Sequence, residues 1–263
     1  MAHEFLIRLG RGVLTEFRRV VSYATLAWVT FRAVFARSAA GRGVVWGQAA
    51  RQIIFTGLDA VWLVGFLGAV GSVVTLTAAF TYSGGADENR MVTDLLLRLL
   101  VREIAPFVTA VIVALRSGSA ITVELGYMSA RGEVEGIESV GIDPVRLLLV
   151  PRFSGMVVST IGLNMVFIGA VFAAAFGTAV QAGVVPARMA VVWSYASALQ
   201  PFDVATSLAK AALFGVTTAA VVCYHGLSVG GDVTEMPRRV ARALVEVVIH
   251  CTVLASVLAL ISL

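Results

Sequence analysis

The chain has 263 residues, 59% of them hydrophobic and only 14% charged, and its mean hydropathy is +0.91. These values lie outside the range of a soluble globular domain and make the chain an integral membrane protein. The formal net charge of +4 does not argue for nucleic acid, because the arginines are spread along segment ends and form no face with interleaved aromatics. Cys223 and Cys251 both sit in apolar runs, which supports neither a disulfide framework nor a cysteine metal site.

The N-terminus, MAHEFLIRLGRG, has no long apolar run or small-residue cleavage site, so it does not read as a cleaved signal and its start is expected to be retained. Through residue 50, Arg8, Arg11, Arg18, Arg19, Arg32, Arg37 and Arg42 interleave with aromatics and leucines such as Phe5, Leu14, Phe17, Trp28, Phe31 and Phe35. That is the composition of amphipathic helices lying in the headgroup region, and equally of helices packed on the protein's own membrane domain. The stretch 1–52 is therefore expected as an N-terminal interfacial region, with 53–263 as the membrane domain. Gly41-Arg42-Gly43 is expected to break the first helix from the next.

Residues 53–82 form the first predicted crossing, with Gly65, Gly68 and Gly71 spaced to let another helix approach closely. Residues 83–101 read as a loop and an amphipathic lead-in to a second crossing over 103–126. Arg116 and Glu124 lie inside that apolar run, and charge at bilayer depth marks a functional candidate. After Met128 the chain turns polar, and Val134, Ile137 and Val140 recur at every third position between Glu133, Glu135 and Glu138. The spacing predicts a short amphipathic helix within about 131–143. Asp143 and Pro144 supply an N-cap and a first-turn proline, and Pro151-Arg152 is expected to open the third crossing, 153–182. Residues 186–199, with Trp193 and Tyr195, read as an interfacial helix, followed by crossings at 204–227 and 240–262. The expected fold is all-α and polytopic, with five transmembrane helices.

Of the 20 Lys+Arg, 14 fall in 1–58, 131–152 and 238–242, which assigns those segments to the cytoplasm by the positive-inside rule. The N-terminus is then cytoplasmic, the C-terminus periplasmic, and the amphipathic 131–143 stretch faces the cytoplasm.

Several linked motifs in the centre carry a resemblance: Glu103-Ile104-Ala105-Pro106, Arg116-Ser117-Gly118-Ser119-Ala120, Glu124-Leu125-Gly126 with Met128, Glu135-Gly136-Ile137-Glu138, and Gly141-Ile142-Asp143-Pro144 through Val150-Pro151-Arg152. In order and spacing these resemble the MlaE/YrbE permease family over roughly fifty residues. Lys210 in SLAKAALFG also looks like the family's fourth helix. Asp59, and the turn Thr234 to Ala241, depart from the family's pattern. The resemblance implies the membrane subunit of an ABC transporter in the bacterial inner membrane, moving phospholipid or related lipids. It further implies a homodimer, a separate ATPase chain and an MCE-domain protein on the outer side.

The chain holds one lysine, Lys210 between Ala209 and Ala211, and no glycine loop ending in Lys-Ser/Thr, so ATP and magnesium belong to the partner and no cofactor is expected here. Glu133, Val134, Glu135, Ile137, Glu138 and Val140 are the candidate coupling contacts to that ATPase. Arg116, Glu124 and Lys210 are candidate lipid contacts, weighed against ion pairing between helices, and Gly118 and Ser119 are candidate close-packing positions. A permease of another ABC transporter is the alternative. An intramembrane enzyme is the rival class, resting on Glu246 and His250 at i, i+4, a ligand spacing that lacks a third ligand in register.

Overall fold

The computed structural model describes residues 2–35, 42–82, 94–181, 199–231 and 233–261. Among these residues there is no strand, and helices account for almost all of them. We label them α1 (Ala2–Phe35), α2 (Arg42–Tyr82), α3 (94–130), α4 (Glu133–Ser139), α5 (145–181), α6 (Pro201–Leu227) and α7 (Met236–Ile261). Four helices are long and apolar enough to cross a membrane, over Gly43–Ala78, Val145–Thr178, Pro201–Leu227 and Val233–Ile261, so the chain is a multi-pass membrane protein. The remaining expected crossing, 103–126, is helical throughout as part of α3. Wide turns divide it into α-helical segments of 9 and 12 residues, each shorter than a span. The expected interfacial helix at 186–199 lies almost wholly outside the described residues.

Those wide turns have a covalent cause in two of three places. The π-helical turn Leu100–Ile104 ends where Ala105 N–H donates to the Leu100 carbonyl, just before Pro106. The turn Val145–Leu149 ends where Val150 N–H donates to the Val145 carbonyl, just before Pro151. Proline has no N–H and its ring crowds the carbonyl four residues back, so one widened turn ahead of it relieves both problems. This corrects the expectation that Pro151 opens the helix: α5 already begins at Val145, whose N–H bonds Asp143 Oδ1 at 2.9 Å, and Pro151 sits inside it. The third wide turn, Ala114–Gly118, has no proline and carries Arg116.

α6 is the most buried of the four long apolar helices and packs against α1, α3, α5 and α7, while α2 lies along α5. Close approach rests on particular glycines. A methyl on Gly68 of α2 would stand 2.7 Å from the Phe167 carbonyl oxygen, and one on Gly226 of α6 would stand 2.7 Å from Leu125 Cβ. One end of the bundle is tied by Ser129 Oγ donating to the Leu227 and Val229 carbonyls, at 3.1 and 3.2 Å. The other end brings Val101 against Leu199 and α3 against the first turns of α6.

α1 resolves into two faces. Tyr23 and Thr30 are buried, and Leu26 and Ala27 pack against the core, whereas Phe17, Trp28, Phe31 and Phe35 are exposed. The inner face is held by polar contacts: Tyr23 hydroxyl donates to Glu246, which also accepts from Arg19 at 3.2 Å and lies 3.0 Å from His225 Nε2. Burial, and then the Glu246 carboxylate, raise the Tyr23 hydroxyl above its ordinary range, so it remains the donor.

Candidate functional site

The candidate charges do not converge on one pocket. They form a ladder along α3, each rung reaching a different neighbouring helix. The helix rise separates Glu103 from Arg116 by ~20 Å and Arg116 from Glu124 by ~12 Å.

The outermost rung joins Glu103 to Lys210 of α6. Lys210 is only 6% exposed and Glu103 24%. Arg102 Nε lies 3.9 Å from Glu103, and Arg98 and Arg102 each lie 3.9 Å from Asp203, the residue that caps the start of α6. Three cations and two carboxylates therefore share this end of the bundle.

The middle rung joins Arg116 to Asp59 of α2 at 3.0 Å, with a further bond to the Asp59 backbone carbonyl. Both side chains are nearly half-exposed, 43% and 49%, on a surface that also exposes Leu58, Trp62, Leu63 and Leu115. Asp59, which departs from the resembled pattern, is thus the counter-charge of the arginine that fits it.

The innermost rung joins Glu124 to Arg152 of α5 at 2.8 Å. Arg152 is buried and also donates to the Leu148 carbonyl at 3.1 Å. Each of Arg116, Glu124 and Lys210 therefore has a protein partner, and the three partners, Asp59, Arg152 and Glu103, escaped sequence reasoning as site residues. Gly118 lies against α6, where an added methyl would stand 3.0 Å from Val222 Cγ2, and Ser119 Oγ bonds carbonyls of its own helix.

The helix α4 follows the innermost rung. It starts after Gly132 and ends before Gly141, whose φ values of 70° and 80° are the left-handed conformation that glycine adopts without strain. Val134 and Ile137 pack against the membrane domain's core, whereas Glu133, Glu135, Glu138 and Val140 are exposed. The face open to another chain is accordingly acidic, with Val140 and Ile142 as its apolar members.

Glu246 and His250 are not joined side chain to side chain. His250 Nδ1 bonds the Glu246 backbone carbonyl at 2.6 Å, and the Glu246 carboxylate is taken by Tyr23, His225 and Arg19.

The model of the permease family MlaE matches residues 49–261, from α2 to the end of α7. The chain belongs to the MlaE permease family. All three rungs and α4 lie within the matched stretch, while the whole of α1 lies ahead of it. Among its relatives is the intermembrane phospholipid transport system permease protein MlaE of Haemophilus influenzae, 29% identical over 160 residues, 58% of this chain and 57% of that one. A probable ABC transporter permease protein of Rickettsia prowazekii is 28% identical over 200 residues, 74% of this chain and 75% of its own. The chloroplastic protein trigalactosyldiacylglycerol 1 of Arabidopsis thaliana is 28% identical over 145 residues, covering 54% of this chain and 41% of that protein. The chain thus matches little more than half the length of the Haemophilus relative.

Proposed function

We propose that this chain is the membrane subunit of an ABC transporter that moves phospholipids or related lipids between the bacterial inner membrane and an MCE-domain protein on the periplasmic side. The observation that carries the reading is the middle rung. A half-exposed Arg116–Asp59 pair on a flank otherwise exposing leucines and tryptophan is costly against acyl chains, and such charges face a polar cavity or a second protein. A second copy of the chain placed against this flank encloses a cavity in which Arg116 meets a lipid phosphate through its planar fork. Lys210 and Glu103 stand at the mouth of the same route, and Glu124 positions Arg152 at its cytoplasmic end.

ATP hydrolysis belongs to a separate subunit, since the chain's single lysine lies in no phosphate loop. Coupling runs through Glu133, Glu135, Glu138 and Val140, the exposed face of α4. Val134 and Ile137 serve from the other side, by fastening that helix to the membrane domain. The positive-inside count supports a cytoplasmic N-terminus and α4, and with five crossings a periplasmic C-terminus.

The test is mild-detergent extraction of the tagged chain from its native membrane, followed by identification of the chains and lipids that accompany it. An ATPase, an MCE-domain protein, phospholipid and two copies of the chain are expected. Recovery of one copy, or of an ATPase with a polar solute-binding protein and no phospholipid dependence of ATP hydrolysis, overturns the proposal.

A further inference from the structure

A groove of about 820 Å³ lies between α1, α6 and α7, sharing no residue with the ladder on α3. Its volume falls within the roughly 300–1,000 Å³ of sites that hold small-molecule ligands. The floor is apolar, built from Ala24, Ala27, Val216, Ala220, Val253 and Leu254. One end is charged: Glu16 and Glu246 line it, and Arg19 bridges them at 2.9 and 3.2 Å. Arg242 stands one turn before Glu246 on the same side of α7.

Two properties identify the occupant. Val20, Ile249, Val253 and Val257 line the groove and are exposed, so it opens sideways from helices α6 and α7 that cross the membrane. A sideways-open apolar groove at bilayer depth is filled by acyl chains, since an empty one forfeits the contacts of its lining. The polar end offers both signs side by side: the Arg19 guanidinium, 40% exposed, for a phosphate, and the Glu16 carboxylate, 59% exposed, for an amine.

We propose that this groove is a resident site for a zwitterionic phospholipid bearing a primary amine, with an acyl chain along Ala24 and Ala220 and the ammonium on Glu16. The lipid completes the packing between α1 and the membrane domain. The site stands independently of the transport reading, because it uses none of the charges on α3.

The experiment is native mass spectrometry of the full chain released from nanodiscs holding phosphatidylethanolamine and phosphatidylglycerol in equal amounts. The wild type is expected to retain phosphatidylethanolamine. Ala24→Trp, which fills the groove from a position already exposed, loses it, and Glu16→Lys shifts the retained lipid to phosphatidylglycerol. Val158→Trp, exposed on α5, keeps the wild-type pattern. A photo-crosslinking residue at position 24 is expected to capture lipid. Equal retention by wild type and Ala24→Trp, retention without headgroup preference, or capture of a protein segment alone overturns the site.

Discussion

The outermost rung makes an asymmetric prediction. Lys210 is 6% exposed and Glu103 24%, so each is removed from water and each depends on the other. Breaking a buried pair from one side costs roughly 3–5 kcal/mol, because the survivor is left uncompensated. The survivors differ here. After Lys210→Met, Glu103 still has Arg102 Nε at 3.9 Å, a separation worth about 4 kcal/mol of attraction at an effective dielectric near 20. After Glu103→Gln, Lys210 keeps no carboxylate at ion-pair distance among the described residues and shares that end of the bundle with Arg98 and Arg102. Lys210→Met is therefore expected at the low end of that range, ~3 kcal/mol, and Glu103→Gln at the high end, ~5 kcal/mol. The double variant Glu103→Gln/Lys210→Met should recover most of the loss, since no buried charge is stranded. The assay is unfolding of each variant in bicelles against increasing SDS, with the membrane-inserted level as a second readout. A double variant less stable than both singles, or Lys210→Met more damaging than Glu103→Gln, refutes the reasoning.

Three further outcomes follow from the geometry. Because Arg116 and Asp59 are nearly half-exposed, Arg116→Ala should change stability by no more than about 1 kcal/mol, while lipid transport in reconstituted vesicles falls and Arg116→Lys recovers it only in part. A large loss of folded protein restored by Asp59→Ala would make the pair purely structural. Gly226→Ala places a methyl 2.7 Å from Leu125 Cβ and should cost ~1–3 kcal/mol by overpacking, whereas Gly136→Ala on α4 meets nothing within 4 Å and should stabilise by roughly 0.5–1 kcal/mol, both read by thermal melts in detergent.

The helical segments were legible because apolar runs of membrane length leave little choice of fold. The wide turns were not, although Pro106 and Pro151 each mark one and are the signal to look for. Their effect is to widen the helix ahead of the proline, where a proline is ordinarily read as opening a new one. The candidate charges Arg116, Glu124 and Lys210 were legible by their cost at bilayer depth. Their partners were not, since Asp59 is 57 residues from Arg116 and Glu103 is 107 from Lys210, and no local period links them. Only the anomaly at Asp59 pointed the right way. For α4 the spacing of Val134 and Ile137 defined an apolar face but was silent on what covers it. The protein's own core takes up part of it, leaving Val134 and Ile137 half-buried and the glutamates exposed.

On the proposed coupling role, the arrangement of α4 also sets how a push from the ATPase would move through the molecule. A seven-residue rod pinned by Val134 and Ile137, with a left-handed glycine at each end, would act as a rocker arm rather than a spring. A push on its acidic outer edge tilts the rod about that apolar fulcrum. At one end the motion passes through Gly132 into α3, whose last rung leads to Arg152; at the other it passes through Gly141 into the start of α5, the helix that carries Arg152. A stroke delivered there by the proposed ATPase would reach the Glu124–Arg152 pair from both sides at once, and the stiffness of the two pins would set how much of it arrives.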